Sequence, residues 1–171
     1  MKIFCIADTH FSHDALVTEF DSRPPEFEKK IIRFCKSFIK EDDLLIHLGD
    51  VMVGSPDRWF EIIPEIPGRK ILVVGNHDRK SYHWYMTNGF LFACESFEWA
   101  IYGLRILFTH EPVSKGNFDL NIHGHLHVNQ HRESKEGNRS FLLSLEESNY
   151  QPQQLDSIIK KWQKTNNIKE I

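Results

Sequence analysis

Lys70-Ile71-Leu72-Val73-Val74-Gly75-Asn76-His77-Asp78 runs from an apolar, partly β-branched segment through a glycine into three polar side chains. The apolar part is short, is stopped by glycine, and reads as a buried strand. The same plan recurs on either side. Leu44 to Leu48 ends at Gly49-Asp50, and Lys2 to Ala7 ends at Asp8-Thr9-His10. Downstream, Arg105 to Phe108 is followed by His110, and Leu120 to His123 by Gly124-His125-Leu126-His127. Five strands therefore end in metal-competent or titratable groups. Open α/β sheets bind their ligands at that end of the strands.

The segments between these strands complete the pattern. A polar stretch from Thr9 to Arg23 is long for a connection, which marks it as a functional loop. Pro24-Pro25 opens a helix reaching about Lys40, with Phe27, Ile31, Phe34, Phe38 and Ile39 as its apolar face. A helix starts at Ser55-Pro56 and stops near Pro64, and another spans about Arg79 to Met86. Further strands are predicted at Phe90 to Ala93, Phe97 to Ile101 and Arg139 to Leu143, with a last helix from Pro152 to about Lys164. The order is α/β with a partly antiparallel second half, read as one domain over residues 1–171.

Composition narrows the class. With 171 residues, 40% hydrophobic and 26% charged, the chain has the balance of a soluble globular domain. A net charge of -3 argues against a protein built to bind nucleic acid or an anionic membrane. The apolar start is broken by Asp8 and His10 before it could serve as a secretory signal, and no run is long enough to span a bilayer. Cys5, Cys35 and Cys94 are odd in number and sit among apolar neighbours, as reduced thiols of a cytoplasmic protein would.

The strand-end residues select a chemistry. Asp8 and His10, like His125 and His127, are two apart and face one point together if the chain is extended. Imidazole, carboxylate and amide oxygen without thiolate suit Mn, Fe, Zn, Ni or Co rather than a structural zinc. Asp8, His10, Asp50, Asn76, His110, His125 and His127 are too many donors for one ion. Two ions bridged by one carboxylate and a water would use them all. With Asp8, Asp50 and a bridging hydroxide, two divalent ions leave a site of about +1 by formal count, which attracts an anionic phosphate.

Asp8-Thr9-His10, Gly49-Asp50, Gly75-Asn76-His77-Asp78, His110 and Gly124-His125-Leu126-His127, taken in this order, resemble the five motifs of calcineurin-like metallophosphoesterases. They run from residue 8 to residue 127. The resemblance implies a four-layer α/β/β/α sandwich of two mixed sheets. It also implies two divalent ions, manganese foremost, and hydrolysis of phosphomonoesters or phosphodiesters by a metal-bridging hydroxide. Asp8, His10 and His127 would hold the first ion, Asn76, His110 and His125 the second, with Asp50 bridging. His77 would contact the phosphate or protonate the leaving oxygen, and Asp78 would orient His77. Val53 stands where many relatives carry an acid, and Phe11-Ser12-His13 extends the first motif as in some small members.

Plainer uses compete for other residues. His47 and His123, inside strands, read as hydrogen-bonded core histidines. His13 is open between lining the phosphate site and standing in solvent. His83 and His131 carry no assignment. Lys29, Arg33, Lys36 and Lys40 form the solvated face of a helix, and Tyr82, Trp84 and Tyr85 read as helix packing before substrate walls. The expected partner is a small phosphorylated substrate, with neither membrane nor nucleic acid. A non-catalytic metal-binding interaction scaffold and a nuclease are the competing functions. Retention of His77 and every ligand speaks against the first, and the acidic, compact chain against the second.

Overall fold

The computed structural model describes residues 1–20, 22–127 and 139–168; His131 lies outside them. β1 (Ile3–Ile6), β2 (Leu44–His47), β3 (Arg69–Val73) and β4 (Phe92–Cys94) are joined through helices α2 (Phe27–Phe38), α3 (Pro56–Ile62) and α4 (Tyr82–Thr87). A short helix α1 (Ala15–Thr18) lies inside the polar stretch that follows β1. β5 (Ser96–Ile101), β6 (Leu104–Thr109), β7 (Leu120–His123), β8 (Ser140–Leu142), β9 (Gln153–Gln154) and α5 (Leu155–Thr165) complete the chain.

The strands form two sheets, ordered β4-β3-β2-β1-β9 and β5-β6-β7-β8. β1 to β4 are parallel, while β9 runs antiparallel on the edge of β1. In the second sheet β5 is antiparallel to β6, and β6, β7 and β8 are parallel. Both sheets are mixed, as expected. Alternation along β1 and β2 separates two cores. Phe4, Ile6 and Leu45 face Ile31, Trp59 and Tyr85 of the helices. Cys5, Ala7, Ile46 and Leu48 face Ile106, Phe108, Leu120 and Ile122 of the other sheet. Strands buried on both faces are apolar throughout, which is why β1 and β2 were legible as unbroken runs.

Several boundaries differ from the sequence expectation, each for a local reason. α2 begins at Phe27 rather than at the prolines, because Pro24 accepts the Phe27 N–H in a turn. Its buried stripe is Phe27, Ile31 and Cys35, continued by Ile39; Phe38 is exposed and stacks on Phe34. α4 starts three residues late, at Tyr82, capped by the Ser81 hydroxyl. β9 occupies the predicted start of the last helix. Two glutamines on a sheet edge carry no apolar signal.

The strand ends are tied to one another by backbone. Beyond β1 and β2 the parallel ladder continues through the loops: Asp8 N–H donates to Gly49 O, His10 N–H to Asp50 O, and Phe11 N–H to Val51 O. The fully buried Phe11 ring anchors the first loop in the helical core. Gly49, at φ +90°, lies against the third loop; a Cβ there would sit 2.6 Å from Gly75 N and 2.7 Å from His110 Nδ1. Gly49→Ala should therefore cost roughly 2–4 kcal/mol, from left-handed backbone plus a clash with atoms that cannot retreat. A urea titration would read this as a lower midpoint at unchanged slope.

Candidate metal centre

The donor side chains converge where the C-terminal ends of both sheets meet. Five of the seven are held in left-handed backbone, among them Asp8 (φ 53°), Asp50 (φ 55°), His125 (φ 71°) and His127 (φ 52°). His10 (φ 46°) makes a fifth. The pairs two apart therefore converge through turned residues and not through extended chain. Non-glycine residues adopt this conformation rarely and at a cost, so its concentration here marks a functional site.

Two groups of atoms result. In the first, His10 Nε2 lies 3.1 Å from His127 Nε2, and His127 Nε2 lies 3.9 Å from Asp8 Oδ1. In the second, His110 Nε2 is 2.9 Å from Asn76 Oδ1 and 3.2 Å from His125 Nδ1, which is itself 3.1 Å from Asn76 Oδ1. Asp50 Oδ2 stands between them, 3.5 Å from His10 Nε2 and 3.5 Å from His110 Nε2. Asp8, His10 and His127, and likewise Asp8, Asp50 and His110, offer donor atoms within 4.8 Å of one another. Ligands bound at about 2.1 Å around one octahedral ion are separated by about 3.0 Å, so these spacings suit divalent cations.

Proton positions strengthen the fit. His110 Nδ1–H donates to Leu48 O at 2.8 Å, and a carbonyl can only accept. In the neutral ring Nε2 then carries a lone pair that faces the Asn76 oxygen, and a cation relieves that opposition. Burial pushes the Asp8 carboxyl up to about 7; His127 pulls it down and the neighbouring Asp50 carboxylate raises it. Burial, aided by His127 and Arg23, holds His10 down near about 2, so its imidazole is a neutral donor.

His77 and His13 stand at the rim. The His77 ring is edge-on to His10 at 5.3 Å, and the His13 ring lies 5.5 Å from His10 and 6.3 Å from His77. The His77 N–H donates to Asp50 Oδ1 at 2.8 Å. Asp78 does not orient the His77 ring. Its carboxylate accepts the N–H groups of Gly75, Asp50 and Val51 at 2.8–3.0 Å, clamping the second loop to the third. Backbone donors outnumber side-chain donors where two turns meet, and they claim both oxygens. His47 and His123 are structural: the His47 Nε2–H is held by Thr9 Oγ1 at 2.9 Å, and His123 bonds Gly124 O and Ser140 Oγ.

Arg23 and Glu146 were not singled out in the sequence, because neither carries a motif. The Arg23 side chain is fully buried, donates to Thr9 O at 3.0 Å and pairs with Glu146 at 2.7 Å. His127 Nδ1 lies 3.4 Å from Glu146 Oε1 and 3.3 Å from Arg23 Nη2. Burial raises the Glu146 carboxyl, but the His127 hydrogen bond and the Arg23 guanidinium outweigh it and bring the group down to about 2. A proton on Nδ1, donated to Glu146, leaves His127 Nε2 free to bind metal; acceptance from Arg23 would close it. Glu146 thus sets the tautomer and offsets the buried guanidinium beside a cation site. Glu146→Gln should weaken Mn²⁺ binding at the Asp8–His10–His127 group by about 10- to 100-fold and leave the other group within a few fold. Calorimetric titration of the metal-free protein resolves the two steps.

Known proteins resemble the chain over nearly its whole length. The chain is 28% identical, over 99% of its length and 96% of the relative's, to an uncharacterized protein of Methanocaldococcus jannaschii. The crystal structure of a protein of unknown function from Aquifex aeolicus superposes with a TM-score of 0.77 at 27% identity, covering 94% of this chain and 98% of that one. No helix among the described residues is long and apolar enough to cross a membrane. The model of the calcineurin-like phosphoesterase family matches residues 1–169, and the chain belongs to that family.

Proposed function

We propose that the protein is a hydrolase of phosphate monoesters or diesters that works with two divalent cations, manganese foremost. The carrying observation is Asp50 Oδ2, equally distant at 3.5 Å from a nitrogen of each donor group. Asp8, His10 and His127 would hold one ion, Asn76, His110 and His125 the other, and Asp50 both. Bound there, the ions would polarise the phosphoryl group and supply a hydroxide at neutral pH.

The chain's own groups do the rest. The His77 backbone N–H donates to Asp50 Oδ1, which keeps the residue beside the carboxylate proposed to join the two groups. From the rim it would bond a phosphoryl oxygen and give a proton to the departing ester oxygen. An oxygen from water joins phosphorus, the P–O ester bond breaks, and the alcohol leaves with that proton. Asp78 is a positioning residue here, since it fixes the loops that carry Asp50 and His77.

His77→Ala should lower kcat on a 4-nitrophenyl phosphodiester by roughly 10²- to 10³-fold while metal content stays at the wild-type level. Asp50→Asn should lose activity and metal together. Elemental analysis alongside initial rates separates the two. Full activity in both variants would overturn the mechanism, and metal binding without turnover across monoesters and diesters would favour the interaction scaffold.

A further inference from the structure

We infer that the cavity beside His77 receives a flat aromatic ring on the ester substituent, which makes aryl- or nucleobase-bearing phosphate esters the substrate class. This inference rests on the phosphoesterase reading and deepens it. The cavity measures about 330 Å³ and lies between residues 52–56 at the foot of α3 and residues 77–85 leading into α4. His77 lines it, and the same residue stands beside His10 and bonds Asp50, so His77 links the cavity to the donor groups. At this size, near the lower end for small-molecule sites, it accommodates one ring system and not a polymer.

Three aromatic side chains, Trp59, Trp84 and Tyr85, stand together in its lining. Trp59 and Trp84 pack edge-to-face at 5.0 Å, with Tyr85 at 5.5 Å from Trp59. The Trp59 Nε1–H is spent on Asn88 O, and the Tyr85 hydroxyl accepts the Lys80 N–H. Trp84 is half-buried, which leaves part of its indole to a cavity also lined by Met52 and Val53. Val53 adds an apolar side chain to the lining. The one acid in the lining, Asp78, has both oxygens engaged by backbone N–H groups.

The rim is cationic. Arg79 and Lys80 line the opening, and among the described residues neither pairs with a carboxylate; Lys80 Nζ sits 5.7 Å above the Trp84 ring. Aromatic faces with cations at the edge bind planar π-systems attached to anions, each stacked ring contributing about 1–3 kcal/mol. A phosphate lodged at the donor groups and a ring in this cavity would belong to one molecule.

Three phosphonates that cannot be hydrolysed test this on the Mn²⁺-loaded protein by calorimetry, with tryptophan fluorescence as a second readout: methylphosphonate, phenylphosphonate and the phosphonate analogue of adenosine 5′-monophosphate. One or both ring-bearing probes should bind about tenfold or more tightly than methylphosphonate and quench tryptophan emission. The better of the two identifies an aryl or a nucleobase occupant. Trp84→Ala should shrink the ratio to within about twofold, and Lys80→Ala, on the surface, should reduce it without risk to folding. Equal binding of all three, or a ratio indifferent to both substitutions, overturns the inference. Hydrolysis of the 4-nitrophenyl diester, measured in parallel, tells the failures apart. Turnover without ring preference removes only the cavity's role, and ring preference without turnover removes only the catalytic reading.

Discussion

Asp50 is held from every side. Its backbone N–H is bound by Asp78, its carbonyl accepts from His10, and one carboxylate oxygen takes the His77 N–H. The remaining oxygen is left at equal range of two histidines from different halves of the chain. A carboxylate so constrained cannot rotate away from its neighbours. The donor groups, the rim histidine and the clamp between loops are all referred to its position. Around it the backbone is turned into the left-handed region at residue after residue, and the continued β1–β2 ladder stabilises that unfavourable geometry.

The strands and the polar residues that end them could be read from the chain because both leave local marks. A strand buried on two faces is an unbroken apolar run, and a glycine followed by Asp50, Asn76 or His125 shows where it ends. The two mixed sheets followed from the order of the elements together with the family resemblance. Less legible was how the pairs Asp8–His10 and His125–His127 converge, since turned backbone leaves no trace in a two-residue spacing.

Features that depend on distant partners were hidden. Asp78 next to His77 suggested a carboxylate–imidazole pair, yet three amide groups brought in by two loops compete for the same oxygens and win. Arg23 and Glu146 are 123 positions apart and look like any charged surface residues until folding buries Arg23 and half-buries Glu146 against His127. Trp84 was read as packing and does pack on Trp59, but one residue can serve the core and a cavity together. Pattern reading assigns one use per side chain, and here several have two.

The ladder between the first two loops bears on how the proposed ions would be taken up. Its bonds join amide to carbonyl and involve no cation, so the basket they weave does not rely on a metal for its backbone. If ions are held there, such a basket would tolerate exchange: a chelator would strip it and a fresh ion refill it without the chain having to refold. Which ion resides there is then governed more by what the surroundings supply than by the history of folding.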